Sequence, residues 1–255
     1  SFLPTGSVSY LYYAERINQL PIALIGVAIG TALLPTLSQQ ISSNKNKEAN
    51  YTQNRALGFS ILLTLPAAIA IFILANPIIS CFFERGEFIS QDRILAAKAL
   101  QAFAVGIPAY VFVKVLIPAF FARQNTVTPM KIASFCVLIN FLLNIILMQY
   151  YQHVGIAMAT AIASWTNAFL LFLVLYKSKQ IEIDEKLKKL VSKVTIISII
   201  FGYIVFYFKD LIDISSDYKL FYLIIFVLIG IFLFGILCLF FRAINLLDIK
   251  LIKEK

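Results

Sequence analysis

The chain has 255 residues, 60% of them hydrophobic and only 14% charged, with a mean hydropathy of +0.87. Soluble domains are roughly 45–50% apolar, so this composition excludes a water-soluble globule and makes lipid the solvent for most of the chain. The formal charge of +9 does not imply nucleic acid, because most Lys and Arg occupy short polar stretches between long apolar runs, as in proteins that meet membrane surfaces.

A spanning helix needs about 20 largely apolar residues to cross roughly 30 Å of hydrocarbon. Seven stretches meet that requirement. The first runs from Val8 to Leu37, with Pro21 and Pro35 as bending points. The second runs from Ala56 to Phe83, and the third from Ile94 to Ala122, long enough to tilt or kink at Pro108 and Pro118. Met130 to Tyr150 and Val154 to Tyr176 follow, then Leu190 to Phe208 and Leu220 to Phe241. The expected fold is all-α, a polytopic transmembrane helix bundle.

The connections alternate in charge. Lys45, Lys47 and Arg55 lie in the first, Arg123 and Lys131 in the third, and Lys177, Lys179, Lys186, Lys188, Lys189 and Lys193 in the fifth. Arg242, Lys250, Lys253 and Lys255 follow the last helix. The intervening connections hold only Arg85 and Arg93, then His153, then Lys209 and Lys219. Positive charge concentrates on the cytoplasmic side, so seven crossings with a cytoplasmic C-terminus are expected.

Gln180 to Lys193 carries Glu182, Asp184 and Glu185 before its lysines and reads as the start of an amphipathic helix, a solvated linker touching anionic headgroups. The loop from Lys209 to Lys219, with Asp210, Asp213 and Asp217, reads as a polar cap. Cys81, Cys136 and Cys238 sit apart in apolar runs as packing residues, and a lone His153 gives a metal or histidine site nothing to build from. Ser1 opens without Met or a basic segment, so the chain is expected to lack an upstream part.

Ionised side chains deep in a bilayer cost about 2.5–3.5 kcal/mol on insertion scales, so those present are functional candidates. Glu15 and Arg16 lie roughly 12 Å inside the first helix, where Ser9, Tyr12, Tyr13 and Arg16 share a polar face continued by Gln19. Lys114 lies roughly 13 Å from the end of the third helix, which exits through Arg123, Gln124 and Asn125 to Thr128-Pro129. Two arrangements meet the energetic demand. Either two fixed cations line a wet cavity and attract a dianionic headgroup, or Arg16 pairs with Glu15 or an upstream acid and Lys114 with a carboxylate elsewhere. Gly26 and Gly30 read as a close-packing pair, Asn140, Asn144, Thr160, Ser164 and Asn167 as interhelical hydrogen-bonding groups, Trp165 as core, and Lys98 as an interfacial residue.

Gly6-Ser7-Val8-Ser9-Tyr10-Leu11-Tyr12-Tyr13-Ala14-Glu15-Arg16-Ile17 with Gln19-Leu20-Pro21 resembles the signature of the MurJ (MviN) lipid II flippase family. So do Gly26-Val27-Ala28-Ile29-Gly30-Thr31, Lys114-Val115-Leu116 with Pro118-Ala119-Phe120, and Ala122-Arg123-Gln124 with Thr128-Pro129. The resemblance implies the second half of a fourteen-helix, two-lobe flippase of the inner membrane. Residues 1–180 would form five helices of the second lobe, and residues 181–255 a C-terminal helix pair that grips the lipid tail. It implies lipid II as substrate, membrane lipids and an absent N-terminal lobe as partners, no cofactor, no metal and no enzymatic reaction. The family's cavity arginine falls on Arg16, and Gln19 stands where some members carry an acid. Glu15, Arg16, Tyr13, Gln19, Lys114 and Arg123 are the substrate-binding candidates. Rival functions are a polysaccharide-lipid or multidrug exporter of the related superfamily and a membrane scaffold. A prenyl-phosphate enzyme would need a pair of aspartates within a helix, and the sequence offers none.

Overall fold

The computed structural model describes residues 3–212, 216 and 218–243. Asp213, Asp217, Lys250, Lys253 and Lys255, named above in two connections, lie outside the described residues.

Helix α1, Ser7–Pro21, continues through a π-helical segment, Ile22–Val27, into α2, Ala28–Ser42. Pro21 has no N–H to give the carbonyl of Ile17, and the hydrogen-bond pattern widens directly after it. The expected single second helix is two. α3 spans Asn46–Ile73 and α4 spans Ala75–Phe83, with a break at Leu74, where Pro77 cannot donate to the carbonyl of Ile73. Sequence pattern missed α3's first turns because Asn46 to Arg55 is too polar to read as part of a span.

α5, Ser90–Phe121, is the central strut and packs against α1, the π segment, α2, α3, α4 and α6. Its alanines 96, 97, 99, 104 and 109 are sealed from solvent, and their small side chains let six neighbouring elements approach one axis. α6, Val127–Lys177, covers two of the expected spans. Straight, its 51 residues would reach about 76 Å, far more than a bilayer core. It folds back at Gln152, whose φ of 52° and ψ of −132° break the helix, and Asn140 Nδ2 donates to Thr160 Oγ1 at 3.4 Å across the hairpin. Gly155 makes this turn possible, since a methyl there would fall 2.3 Å from the carbonyl oxygen of Leu147.

α7, Glu185–Phe208, lies along α3, and α8, Lys219–Phe240, rests on α7 and α4. Six described runs are long and apolar enough to cross a membrane, and the folded α6 supplies the seventh crossing.

The connections gather at two ends, as the charge alternation groups them. At one end Tyr10 donates to Asp92 at 2.5 Å, His153 Nε2 contacts the carbonyl of Leu95 at 3.0 Å, and Lys219 reaches Ser80 and the carbonyl of Glu84, each at 3.4 Å. At the other, the basic end, Arg123 meets Gln180, Asn50 meets Glu182, and Lys193 meets the carbonyl of Phe241. Lys219 therefore staples α8 to the end of α4.

Candidate functional site

One face of α1 and α2 remains open along its length: Tyr12, Glu15, Arg16, Gln19, Ala23 and Thr31 are all exposed. Ala14 and Ile17, on the opposite face, are buried in the core with Ala96, Leu100 and Phe103. A helix of this length with a charged open face is not lipid-compatible on that side, so the face meets water or protein.

Arg16 is held by its neighbours without being neutralised. Gln19 Nε2 donates to Glu15 Oε1 at 3.1 Å, and Arg16 Nη1 donates to Gln19 Oε1 at 3.4 Å. The guanidinium also lies over the Tyr12 ring, 4.6 Å from its centre. Gln19 thus stands between the carboxylate and the guanidinium, and among the described residues no carboxylate lies within ion-pair distance of Arg16.

Lys114 is likewise exposed, with no carboxylate at ion-pair distance among the described residues. It emerges where α5 meets Gly26 and Gly30. Gly26 lies ten residues beyond Arg16, which is about 15 Å along the helix. The two exposed cations therefore sit at different depths, rather than at a single level.

Tyr13 leaves the polar row. Its ring packs against Phe83, with centres 4.6 Å apart, and edge-on to Phe88 at 5.2 Å, so it anchors α1 to the turn before α5. Arg123 is half-buried and donates to the carbonyls of Ala119, at 2.7 Å, and Gln180, at 3.1 Å. Burial pulls its pKa below the usual arginine value. It ties α5 to the segment that follows α6.

That segment corrects an expectation. Residues 180–184 are not a solvated linker: Asn50 and Asn54, one helical turn apart on α3, bind their main chain. Asn50 donates to the carbonyl of Glu182 and accepts from its N–H at 2.8 Å, while Asn54 donates to the same carbonyl at 2.8 Å and accepts from the N–H of Asp184 at 3.2 Å. Arg55, buried and not a loop residue, forms an ion pair with Asp184, whose other oxygen caps α7 through the N–H of Leu187 at 2.6 Å. No signal in the sequence separates these asparagines from ordinary loop residues; their spacing of four is the only trace.

Two further expectations resolve in detail. Trp165 is 41% exposed rather than core, its indole N–H donating to the carbonyl of Val105 at 3.0 Å and its ring edge-on to Phe112. Asn144 donates to Asn140 at 3.0 Å, continuing the interhelical contact to Thr160. Cys81, Cys136 and Cys238 are all free thiols.

A family model described as lipid II flippase MurJ matches residues 1–233. A protein named probable lipid II flippase MurJ, from Rickettsia prowazekii (strain Madrid E), is 39% identical over 219 residues, 84% of this chain and 43% of its own length. Another of that name, from Rhizobium tropici, is 38% identical over 202 residues, covering 79% of this chain and 38% of its own. A solved structure of the lipid II flippase MurJ in an inward closed conformation superposes with a TM-score of 0.78 at 32% identity, covering 95% of this chain and 49% of that one. The chain spans less than half the length of these curated relatives. With the family model matching residues 1–233 and the fold superposing on a solved relative, the chain belongs to the lipid II flippase MurJ family.

Proposed function

We propose that this chain forms the second half of a transporter that carries lipid II from the cytoplasmic to the outer leaflet of the inner membrane by alternating access between two lobes. The observation that supports this proposal is that Arg16 and Lys114 are both exposed, with no carboxylate at ion-pair distance among the described residues. A pyrophosphate is a dianion or more, and fixed cations away from bulk water bind it strongly. Glu15 and Gln19 orient the Arg16 guanidinium, Tyr13 fixes the helix that bears it, and Arg123 holds the cytoplasmic rim.

Residues 1–180 act as the lobe and residues 181–255 as the tail-binding pair. Between α3, α7 and α8 lies a groove of about 330 Å³ lined by Leu63, Pro66, Ile71, Phe201, Phe226 and Gly230. Its lining is almost wholly apolar and fits a polyprenyl chain, which has no hydrogen-bonding group to satisfy. The basic end faces the cytoplasm, following the charge rule, and the C-terminus with it.

Arg16→Ala in the host tests this. Removing a charge-assisted contact costs about 1.5–3 kcal/mol, a loss of binding of roughly tenfold or more. Lipid II should accumulate in the cytoplasmic leaflet and growth should fail while the protein remains at normal level in the membrane. Normal growth with normal lipid II would refute the assignment, and loss of a capsule or of drug resistance on depletion would favour an exporter.

A further inference from the structure

Gly26 and Gly30 both meet Lys114 of α5 as their nearest neighbour, but they meet different parts of it. A methyl on Gly30 would fall 3.0 Å from the Lys114 carbonyl oxygen, and one on Gly26 would fall 2.8 Å from Lys114 Cδ. Optimal carbon contacts are about 3.5–4.0 Å. Hydrogen is the largest substituent that leaves both atoms in place.

Two irregularities of the backbone converge on the same point. Pro118 stands four residues after Lys114 and has no N–H, so the Lys114 carbonyl lacks its usual helical donor. That carbonyl is the one Gly30 covers, where a Cα–H can offer only a weak contact. On the facing helix, the π-helical turn Ile22–Val27 includes Gly26. π turns within α-helices recur at functional sites.

We infer that Gly26 is a positioning residue for Lys114: it leaves open the channel through which the lysine stem crosses α1's continuation, and so aims the ammonium at the open face where a phosphate would sit. This rests on the anion-binding role proposed for Lys114. Gly30 has the separate task of setting the distance between helices, because its neighbour is backbone. A side chain struck by a new methyl swings away, whereas a backbone carbonyl forces the helices apart. Gly26→Ala therefore displaces the amine and spares the fold, and Gly30→Ala loosens the fold.

The test is a titration of the whole protein, purified from host membranes, with lipid II and separately with undecaprenol, which lacks phosphate. Lys114→Gln should weaken lipid II binding by about tenfold. Gly26→Ala should weaken it by a similar factor, leave undecaprenol binding and the thermal midpoint unchanged, and add no further loss in the Lys114→Gln background. Additive losses, an equal loss for undecaprenol, or unchanged lipid II affinity in Gly26→Ala would each overturn the inference. If Gly26→Ala lowers the thermal midpoint, the cycle is repeated with Val111→Ala, which removes the second neighbour of the new methyl, at 3.3 Å. If Lys114→Gln binds lipid II like the unsubstituted protein, the anion-site role of Lys114 falls and takes this inference with it. If only Gly26→Ala behaves normally, the inference alone falls.

Discussion

Glu84 shows how much depends on a single carboxylate at the end opposite the basic one. Burial pushes its pKa up, but hydrogen bonds from Ser80 and Arg93, with the charges of Arg93 and Lys219, more than reverse this and hold it below its ordinary value of 4.5. Arg93 Nη1 lies 3.0 Å from both carboxylate oxygens. A depressed acid stabilises the fold above its unfolded pKa, and that contribution disappears as pH falls through the folded value. Glu84→Gln should therefore lower the thermal midpoint near pH 7 by about 2–4 °C, the shift that roughly 1 kcal/mol produces at this chain size. Below pH 4 the difference should shrink, and thermal unfolding across pH measures it. At this scale Arg16 and Lys114 are legible in sequence, because a charge in a lipid-length helix announces its own cost. Tyr13 and Trp165 are not, since an aromatic ring in an apolar run gives no sign of whether it faces a cavity, the core or lipid.

Among the elements, the contact between α3 and the segment before α7 carries the clearest energetic prediction. Asp184→Ala removes the α7 cap, about 0.5–2 kcal/mol, and with it the carboxylate that pairs with the buried Arg55 guanidinium. Glu182→Ala spares the main-chain groups that Asn50 and Asn54 bind. The first should lower the thermal midpoint of the purified protein by several degrees and the second should leave it nearly unchanged; equal effects would show that the Glu182 side chain holds the segment as firmly as the Asp184 cap. Span positions follow from apolar length, so α5, α7 and α8 lie where hydropathy puts them. The π turn after Pro21, the break at Leu74 and the loopless reversal at Gln152 are local hydrogen-bond choices that a hydropathy window does not register.

For the whole molecule, the alternation of basic and charge-poor connections already sorts the loops into the two ends that the structure joins by hydrogen bonds. What it leaves undetermined is which helix faces are wet, because that depends on packing around α5. The open face of α1 and α2 supplies that information, and it is where the Arg16 cation escapes the cost of burial. Ala23 is exposed on this face between Arg16 and Gly26, and a cysteine there reports on the site without altering either cation. The most direct measurement is labelling of Ala23→Cys by a membrane-impermeant thiol reagent, in the whole protein with Cys81, Cys136 and Cys238 replaced. The account predicts rapid labelling from water, protection by added lipid II, and loss of that protection when Arg16→Ala is introduced. An unreactive cysteine, or one labelled equally with and without lipid II, would contradict it.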